Sequence, residues 1–139
     1  MKAIVIQYPA KEGSFEVPGW IVDDTDGLLA IDQRYEADLE SIPPTPAVWA
    51  ITHIQSGFRV KAGDYTEAGT MLKAIGIAQR FYREAKARGW DLNTADPSVV
   101  TAKYKTMSTE EARAFWYAVA GWELSSAAVK APEQPRAAL

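Results

Sequence analysis

Residues 20–32 read WIVDDTDGLLAID, and the Asp-Gly pair within this stretch predicts a hairpin. Asp-Gly between two apolar, β-prone runs is a strong hairpin signal, because a type I′ turn needs positive φ at both central residues. With Asp26 and Gly27 at the tip, the predicted register has four facing pairs: Thr25 with Leu28, Asp24 with Leu29, Val22 with Ile31, and Trp20 with Gln33.

This register assigns the side chains of the hairpin to two faces, because side chains alternate along a strand. The face that we predict to be buried carries Trp20, Val22, Leu29 and Ile31. The face that we predict to be exposed to solvent carries Asp23, Thr25, Ala30 and Asp32. On this interpretation the aspartates form a solvated rim of the hairpin.

The same aspartates also fit part of a calcium-binding loop. An EF-hand loop runs D-x-[DN]-x-[DN]-G and closes with a glutamate six residues after the glycine. With Gly27 at the glycine position, Val22 takes the first ligand position and Gln33 the last. Valine has no ligand atom, so we predict no calcium site, and a chain with no cysteine and one histidine predicts no zinc site either.

The segments on either side of this hairpin predict more strands. Residues 2–8, KAIVIQY, predict a first strand, since the apolar run is too brief for a signal peptide. Residues 14–20, SFEVPGW, predict an extended segment that breaks at Pro18-Gly19. Residues 42–48, IPPTPAV, predict a stiff connector, and residues 48–60, VWAITHIQSGFRV, predict a second hairpin that turns near Gln55-Ser56-Gly57.

The C-terminal half predicts helices. Residues 66–88 carry an apolar arc of helical period, formed by Ala68, Met71, Ile75, Ala78, Phe81, Tyr82 and Ala85, and Gly89 follows as a stop. Asp96-Pro97 predicts the start of a short helix. Ser108 and Glu111 form a capping box for a last helix, whose predicted buried arc is Ala112, Phe115, Trp116, Val119 and Trp122.

Together these elements predict an α+β fold, an antiparallel sheet of about five strands packed by two or three C-terminal helices. The 139 residues suffice for one domain with a sizeable core, which we place at residues 1–129. Residues 130–139 lack core residues and predict a flexible tail. No apolar run approaches the ~20 residues of a membrane span, so we expect a cytoplasmic protein that does not contact membranes.

Charge is unevenly distributed along the chain, whose net charge is −3. Residues 1–48 are acidic, and residues 49–139 are mildly basic. A basic face of the helix at residues 66–88, which carries Lys73, Arg80, Arg83 and Arg88, predicts a binding surface for phosphates or nucleic acid. The alternative is a solvated helix back, and since the basic excess is small we expect weak or no binding of naked nucleic acid.

A second stripe on the last helix, Arg113, Tyr117, Ala120 and Leu124, has the spacing i, i+4, i+7, i+11. A surface helix needs only one apolar face, so another element of the chain or a partner protein must cover this stripe. Tyrosine and arginine are enriched in the centres of protein interfaces. The stripe is therefore a candidate partner-binding site.

His53, the single histidine, lies on the same strand face as Trp49 and Ile51. With a nearby carboxylate it would serve as the general base of a small enzyme. The alternative is a partly buried strand residue with one hydrogen bond, whose loss costs about 1 kcal/mol. No nucleophile motif or phosphate-binding loop accompanies it, so we predict no catalytic residue, no enzyme activity and no small-molecule cofactor.

The segment WAITHIQSGFRV at residues 49–60, followed by an alanine-rich helix that ends RGWDL at residue 92, resembles small proteins carried by bacterial phages and plasmids. A compact, cysteine-free chain without a catalytic motif is similar to anti-CRISPR proteins and related defence inhibitors. That class shares no fold and no fixed functional residues. The resemblance implies stoichiometric binding to a host protein or ribonucleoprotein complex, such as a CRISPR–Cas effector, which is thereby blocked or disrupted.

Overall fold

The computed structural model describes residues 1–10, 13–35 and 46–122. This part of the chain contains five strands and then three helices: β1 (Lys2–Ala10), β2 (Gly13–Ile21), β3 (Leu29–Tyr35), β4 (Pro46–His53), β5 (Arg59–Val60), α1 (Met71–Ala87), α2 (Pro97–Thr106) and α3 (Thr109–Ala120). The strands form one antiparallel sheet in the order β1-β2-β3-β4-β5, which confirms the predicted α+β fold. None of the helices in the described part is long and apolar enough to cross a membrane. The predicted tail at 130–139 lies outside the described residues.

The predicted Asp-Gly turn is present at the tip of the β2–β3 hairpin. Asp26 and Gly27 have φ angles of 51° and 72°. The Leu28 N–H donates to the Thr25 carbonyl at 2.9 Å, which closes the turn. Positive φ at both central residues is the signature of a type I′ turn, so this prediction is confirmed.

The register next to this turn differs from the prediction by two residues. Asp24 also has a positive φ, 64°, which leads the chain out of the strand. Val22 therefore pairs with Leu29, its N–H donating to the Leu29 carbonyl at 2.9 Å, and Trp20 pairs with Ile31. A shift of two residues leaves every side chain on its own face, since the period of a strand is two. The predicted apolar face is accordingly buried, with Trp20 packed at its edge.

Of the four residues predicted to be exposed on the opposite face of this hairpin, Asp23 is exposed and the other three are buried. Thr25, Ala30 and Asp32 are each 0% exposed. Ala30 packs against Ile6 of β1 in a second, smaller core, which also includes the half-buried side chains of Ile4, Val17 and Ile54. The Thr52 hydroxyl lies 3.4 Å from a carboxylate oxygen of Asp32 on this face. The alternation of polar and apolar residues within the β2–β3 hairpin could not predict this burial, because it depends on contacts with β1.

Strand β2 runs without interruption through Pro18 and Gly19, where a break was predicted. It pairs with β1 over nine positions, from Lys2 opposite Ile21 to Ala10 opposite Gly13. It pairs with β3 only at Trp20 and Ile21. The missing N–H of Pro18 therefore removes no ladder bond to β3, which explains why proline is tolerated in this inner strand.

The helices pack on the Trp20 face of the sheet. Helix α1 begins at Met71 rather than at residue 66, because Thr70 is its N-cap and accepts a hydrogen bond from the Lys73 N–H. Ala68 is buried as predicted, but it lies before the helix, where its carbonyl accepts from the Trp49 N–H at 2.9 Å. The helix contributes Ala74, Ile77, Ala78, Phe81 and Ala85 to the main core.

Helices α2 and α3 begin where the sequence predicts. Asp96 caps α2, and Ser108 and Glu111 form the capping box of α3. In α3 the side chains of Phe115, Trp116 and Val119 are buried, as predicted. Trp122 is not: it is 44% exposed, because α3 ends at Ala120 and the left-handed Gly121 turns the chain away from the helix.

Candidate functional site

Three aromatic rings form a cluster at the C-terminal end of α3, which we name the aromatic patch: Tyr65, Tyr117 and Trp122. Ring centroids lie 5.8 Å apart for Tyr65 and Tyr117, 5.1 Å for Tyr65 and Trp122, and 5.4 Å for Tyr117 and Trp122. Distances in this range are typical of favourable aromatic pairs. The two tyrosines are half-buried and Trp122 is exposed, so the patch presents an ordered apolar surface to solvent.

Backbone hydrogen bonds hold the patch in place. The Trp122 N–H donates to the Tyr117 carbonyl at 2.9 Å, in the closing pattern of the left-handed Gly121 cap. Tyr65 lies in a tight turn, where its N–H donates to Ala62 at 3.1 Å. The Thr66 hydroxyl accepts from the Ala62 N–H at 2.8 Å and fixes the same turn. The folded chain therefore holds the three rings in place.

A shallow pocket of about 360 Å³ adjoins the patch. Tyr65 and Trp116 line it together with Met107, Ala112 and the exposed Arg113, at the start of α3. Two residues of the predicted stripe, Arg113 and Tyr117, thus lie at one continuous surface. Tyr117 is covered in part by the chain itself, through Tyr65 and Trp122, and Leu124 lies outside the described residues.

Tyr65 and Trp122 were not predicted as site residues. Trp122 was assigned to the buried arc, although Gly121 before it is a recognisable helix stop that changes the direction of the side chain. Tyr65 carries no local signal, because it meets α3 only in the folded chain. The first omission is avoidable from sequence, and the second is not.

The predicted basic face of α1 does not act as one surface. Arg80 points at the C-terminal end of α3, where its Nε donates to the Val119 carbonyl at 2.8 Å and its Nη2 to the Ala120 carbonyl at 3.3 Å. A cation at a helix C-terminus satisfies free carbonyls and stabilises the helix dipole. Burial, and then the charge of Arg83, lower the pKa of Arg80. Arg80 therefore joins α1 to α3.

Arg88 is also used within the fold. Its Nη1 lies 2.9 Å from a carboxylate oxygen of Glu84, and its guanidinium lies 5.0 Å from the centroid of the Phe115 ring. Lys73 and Arg83 remain exposed on α1. They are ten residues apart, which is about 15 Å along a helix. Two separated cations are a weak phosphate-binding surface.

His53 is buried on the side of the sheet that faces the main core, and both of its ring nitrogens have a hydrogen-bond partner. Nε2 lies 2.5 Å from the Leu92 carbonyl, and Nδ1 lies 2.7 Å from the Ser56 hydroxyl. A carbonyl only accepts, so Nε2 carries the proton. Ser56 Oγ already accepts from the Phe58 N–H at 3.1 Å, which leaves its own proton for Nδ1. Neither partner is a carboxylate, and this geometry fits a structural residue.

The acidic loop at residues 23–27 packs on α1. The Tyr82 hydroxyl donates to the Asp26 carboxylate, and Lys86 Nζ lies 3.5 Å from the same carboxylate. The hydrogen bond from Tyr82 and the charge of Lys86 hold the pKa of Asp26 below its ordinary value, and the same hydrogen bond raises the pKa of Tyr82. Gln79 donates to the Asp23 carbonyl at 3.1 Å. These contacts make the loop an anchor between the sheet and α1.

We expect calcium to leave the protein unchanged, because the best-placed carboxylate of the loop, Asp26, already faces Tyr82 and Lys86. In the described part of the chain, no three histidine or acidic side chains form a group that would hold a metal ion. The melting temperature in about 2 mM calcium, a concentration that weak calcium sites require, should equal the melting temperature in chelator. A rise of several degrees that the chelator abolishes would contradict this.

No family model, no curated protein and no solved structure matches this chain.

Proposed function

We propose that this protein is a non-enzymatic binding protein that docks on a partner protein through the aromatic patch and Arg113. The observation that carries the proposal is Trp122, a large side chain that is 44% exposed although its backbone and ring are fixed. Tryptophan, tyrosine and arginine are the residues that most often dominate binding energy. A fixed ring loses little conformational entropy when a partner covers it.

The surface defines the chemistry of the partner. The exposed face of Trp122 fits an apolar or aromatic side chain, and the pocket beside it accepts one more apolar group. Arg113 at the rim of that pocket fits a carboxylate, which it binds in a bidentate manner. The partner surface is therefore apolar at its centre and acidic at its edge.

The class of partner follows from the resemblance to defence inhibitors of mobile elements. We propose that the partner is a protein or ribonucleoprotein complex of a bacterial host, such as a CRISPR–Cas effector, blocked or disrupted by stoichiometric binding in the cytoplasm. A binding role agrees with His53, whose ring nitrogens are both engaged. It also agrees with Arg80 and Arg88, whose guanidinium groups contact other groups of the fold.

The decisive experiment separates binding from folding within the aromatic patch. Trp122→Ala removes the exposed ring, so we expect at least a tenfold loss of affinity with little change in melting temperature. Tyr117→Ala removes a half-buried ring between two others, so we expect the free energy of unfolding to fall by about 2 kcal/mol. Arg113→Glu should weaken binding as Trp122→Ala does, since it reverses a charge at the exposed rim.

The partner is first identified by a pull-down from bacterial lysate with mass spectrometry, and affinity is then measured with the purified partner. The matched control is Leu72→Ala, because Leu72 is 79% exposed on α1 and lies outside the patch. Binding that survives both Trp122→Ala and Arg113→Glu but is lost in Leu72→Ala would refute this surface. Turnover of a substrate by the purified protein would refute the non-enzymatic function.

A further inference from the structure

We propose that β1 is a dimerisation edge, at which two copies of the chain pair antiparallel around Val5 and join their sheets into one. This inference is independent of the proposed function, since it concerns the opposite end of the chain from the aromatic patch. It rests on the length of the edge, on the lack of the devices that protect edges, and on the self-complementarity of the strand.

Strand β1 is one end of the sheet order, and within the described residues its ladder partner is β2 alone. The ladder between them covers nine consecutive positions without a register shift. Among the same residues no strand lies on the other side of β1, towards which a row of backbone N–H and C=O groups points. Such a row is a template for pairing with another strand.

The two edges of the sheet differ in how they are protected. The other edge strand, β5, has only two residues, which is one of the ordinary ways to prevent edge-to-edge association. In β1 the charged Lys2 and the proline Pro9 stand near the two ends. Between them, residues 3–8 read AIVIQY, with no charge, no proline and high β-propensity. Such an edge favours pairing with another strand, and an identical strand provides the partner.

The sequence of β1 is compatible with its own copy in a symmetric register. Around a twofold axis perpendicular to the sheet, facing residues must share a face, so their numbers add to an even total. Centring the axis on Val5 gives four kinds of facing pair: Val5 with Val5, Ile4 with Ile6, Ala3 with Gln7, and Lys2 with Tyr8. β-Branched residues meet β-branched residues, and no like charges face each other, which are the conditions for favourable cross-strand pairs.

Burial in the single chain agrees with this register. Val5 is 57% exposed and lies on the opposite face of the strand from Ile4 and Ile6. Ile6 is buried in the smaller core and Ile4 is half-buried beside it. Pairing with a second copy would cover Val5 on one face of the sheet. On the other face it would place Ile4 of each copy beside Ile6 of its mate and join the two small cores.

The test uses the absence of cysteine in the chain. In Val5→Cys the new thiol faces its own symmetry mate, at a separation of about 4.5–5.5 Å between Cα atoms, which permits a disulfide. Under mild oxidation we expect Val5→Cys to form a covalent dimer at least tenfold faster than Leu72→Cys. Leu72 is the matched control because it is more exposed than Val5 but lies on α1.

Analytical ultracentrifugation of the unmodified protein gives the second measurement. We expect a dimer at tens of micromolar, and in Val5→Lys, where two ammonium groups would face each other, at least a tenfold weaker dimer with unchanged circular dichroism. A monomer throughout this range, or equal cross-linking rates for the two cysteine variants, would overturn the proposal. If Val5→Lys does not fold, the cross-linking comparison alone decides, since it needs no lysine variant.

Discussion

Replacing Gly19 by alanine is expected to lower the free energy of unfolding by about 3 kcal/mol, at the upper end of the ordinary cost of overpacking. A Cβ at this position would lie 2.7 Å from the Ile31 carbonyl oxygen and 2.7 Å from Cδ1 of Ile6. Cδ1 of Ile6 is the end of a flexible side chain and moves at small cost. The Ile31 carbonyl is backbone of the central strand β3, so relief of that contact requires β2 to move away from β3.

That movement affects both faces of the sheet. Gly19 lies next to Trp20, one of only two β2 residues that pair with β3. It also lies under Ile6, which forms the smaller core with Ala30. A displaced β2 therefore weakens the link between the β1–β2 hairpin and the rest of the domain, and the melting temperature should fall by about 10 °C.

Gly69→Ala is the matched control for Gly19→Ala. A Cβ at Gly69 meets no atom within 4 Å. This change should be neutral or should stabilise the protein by up to about 1 kcal/mol, because alanine restricts the unfolded chain more than glycine does. Chemical denaturation of the two variants gives the comparison. Equal stabilities would show that the sheet absorbs the contact at Gly19 and that the close approach of β2 to β3 is unimportant.

Features that depend on neighbouring residues were predictable from the sequence. The Asp26-Gly27 turn and the capping box of Ser108 and Glu111 each use groups at most three residues apart, and both are present. The apolar face of the β2–β3 hairpin was also predictable, because side chains along a strand alternate with a period of two. The register was not, since it depends on the left-handed Asp24, whose loop is held by Tyr82 and Gln79 of a distant helix.

Features that depend on distant parts of the chain were not predictable. Arg80 reaches the carbonyls of Val119 and Ala120, 39 and 40 residues away, so helical periodicity alone assigned it to the basic face of the helix, the candidate binding surface. Asp32 is buried although an isolated hairpin would expose it. In the candidate site the stripe spacing identified Arg113 and Tyr117. Their neighbour Tyr65 comes from a turn 52 residues before Tyr117 and has no sequence signal.

The largest expected effect of a single change is that of His53→Ala, which should lower the free energy of unfolding by about 4 kcal/mol. The ring is 1% exposed, so its removal leaves a cavity between β4 and the segment around Leu92. It also leaves the Leu92 carbonyl and the Ser56 hydroxyl without the partners they have in the native chain. Unsatisfied buried groups add about 1–3 kcal/mol to the cost of the cavity.

Two milder variants separate these contributions. His53→Gln keeps a donor and an acceptor but cannot reach both partners with the geometry of the ring, so we expect a loss of about 2 kcal/mol, more than the ~1 kcal/mol that the sequence suggests for one hydrogen bond. Ser56→Ala keeps the bond to Leu92 and should cost about 1 kcal/mol. Urea unfolding measures the loss of stability in each variant. A loss that is largest in His53→Ala, intermediate in His53→Gln and smallest in Ser56→Ala would show that the second ring nitrogen contributes to stability.

The same variants decide between the structural and the catalytic interpretation of His53. For a domain whose total stability is about 5–15 kcal/mol, a loss of 4 kcal/mol leaves a folded but weakened protein at low temperature. The hydrogen bonds of His53 do not involve the residues of the aromatic patch. The affinity of folded His53→Gln for the partner should therefore equal that of the unmodified chain. Binding affinity and circular dichroism at 10 °C provide the measurement. If His53→Gln keeps its fold and its stability but loses all function, the imidazole acts chemically, and the small-enzyme alternative replaces the binding protein as the better interpretation.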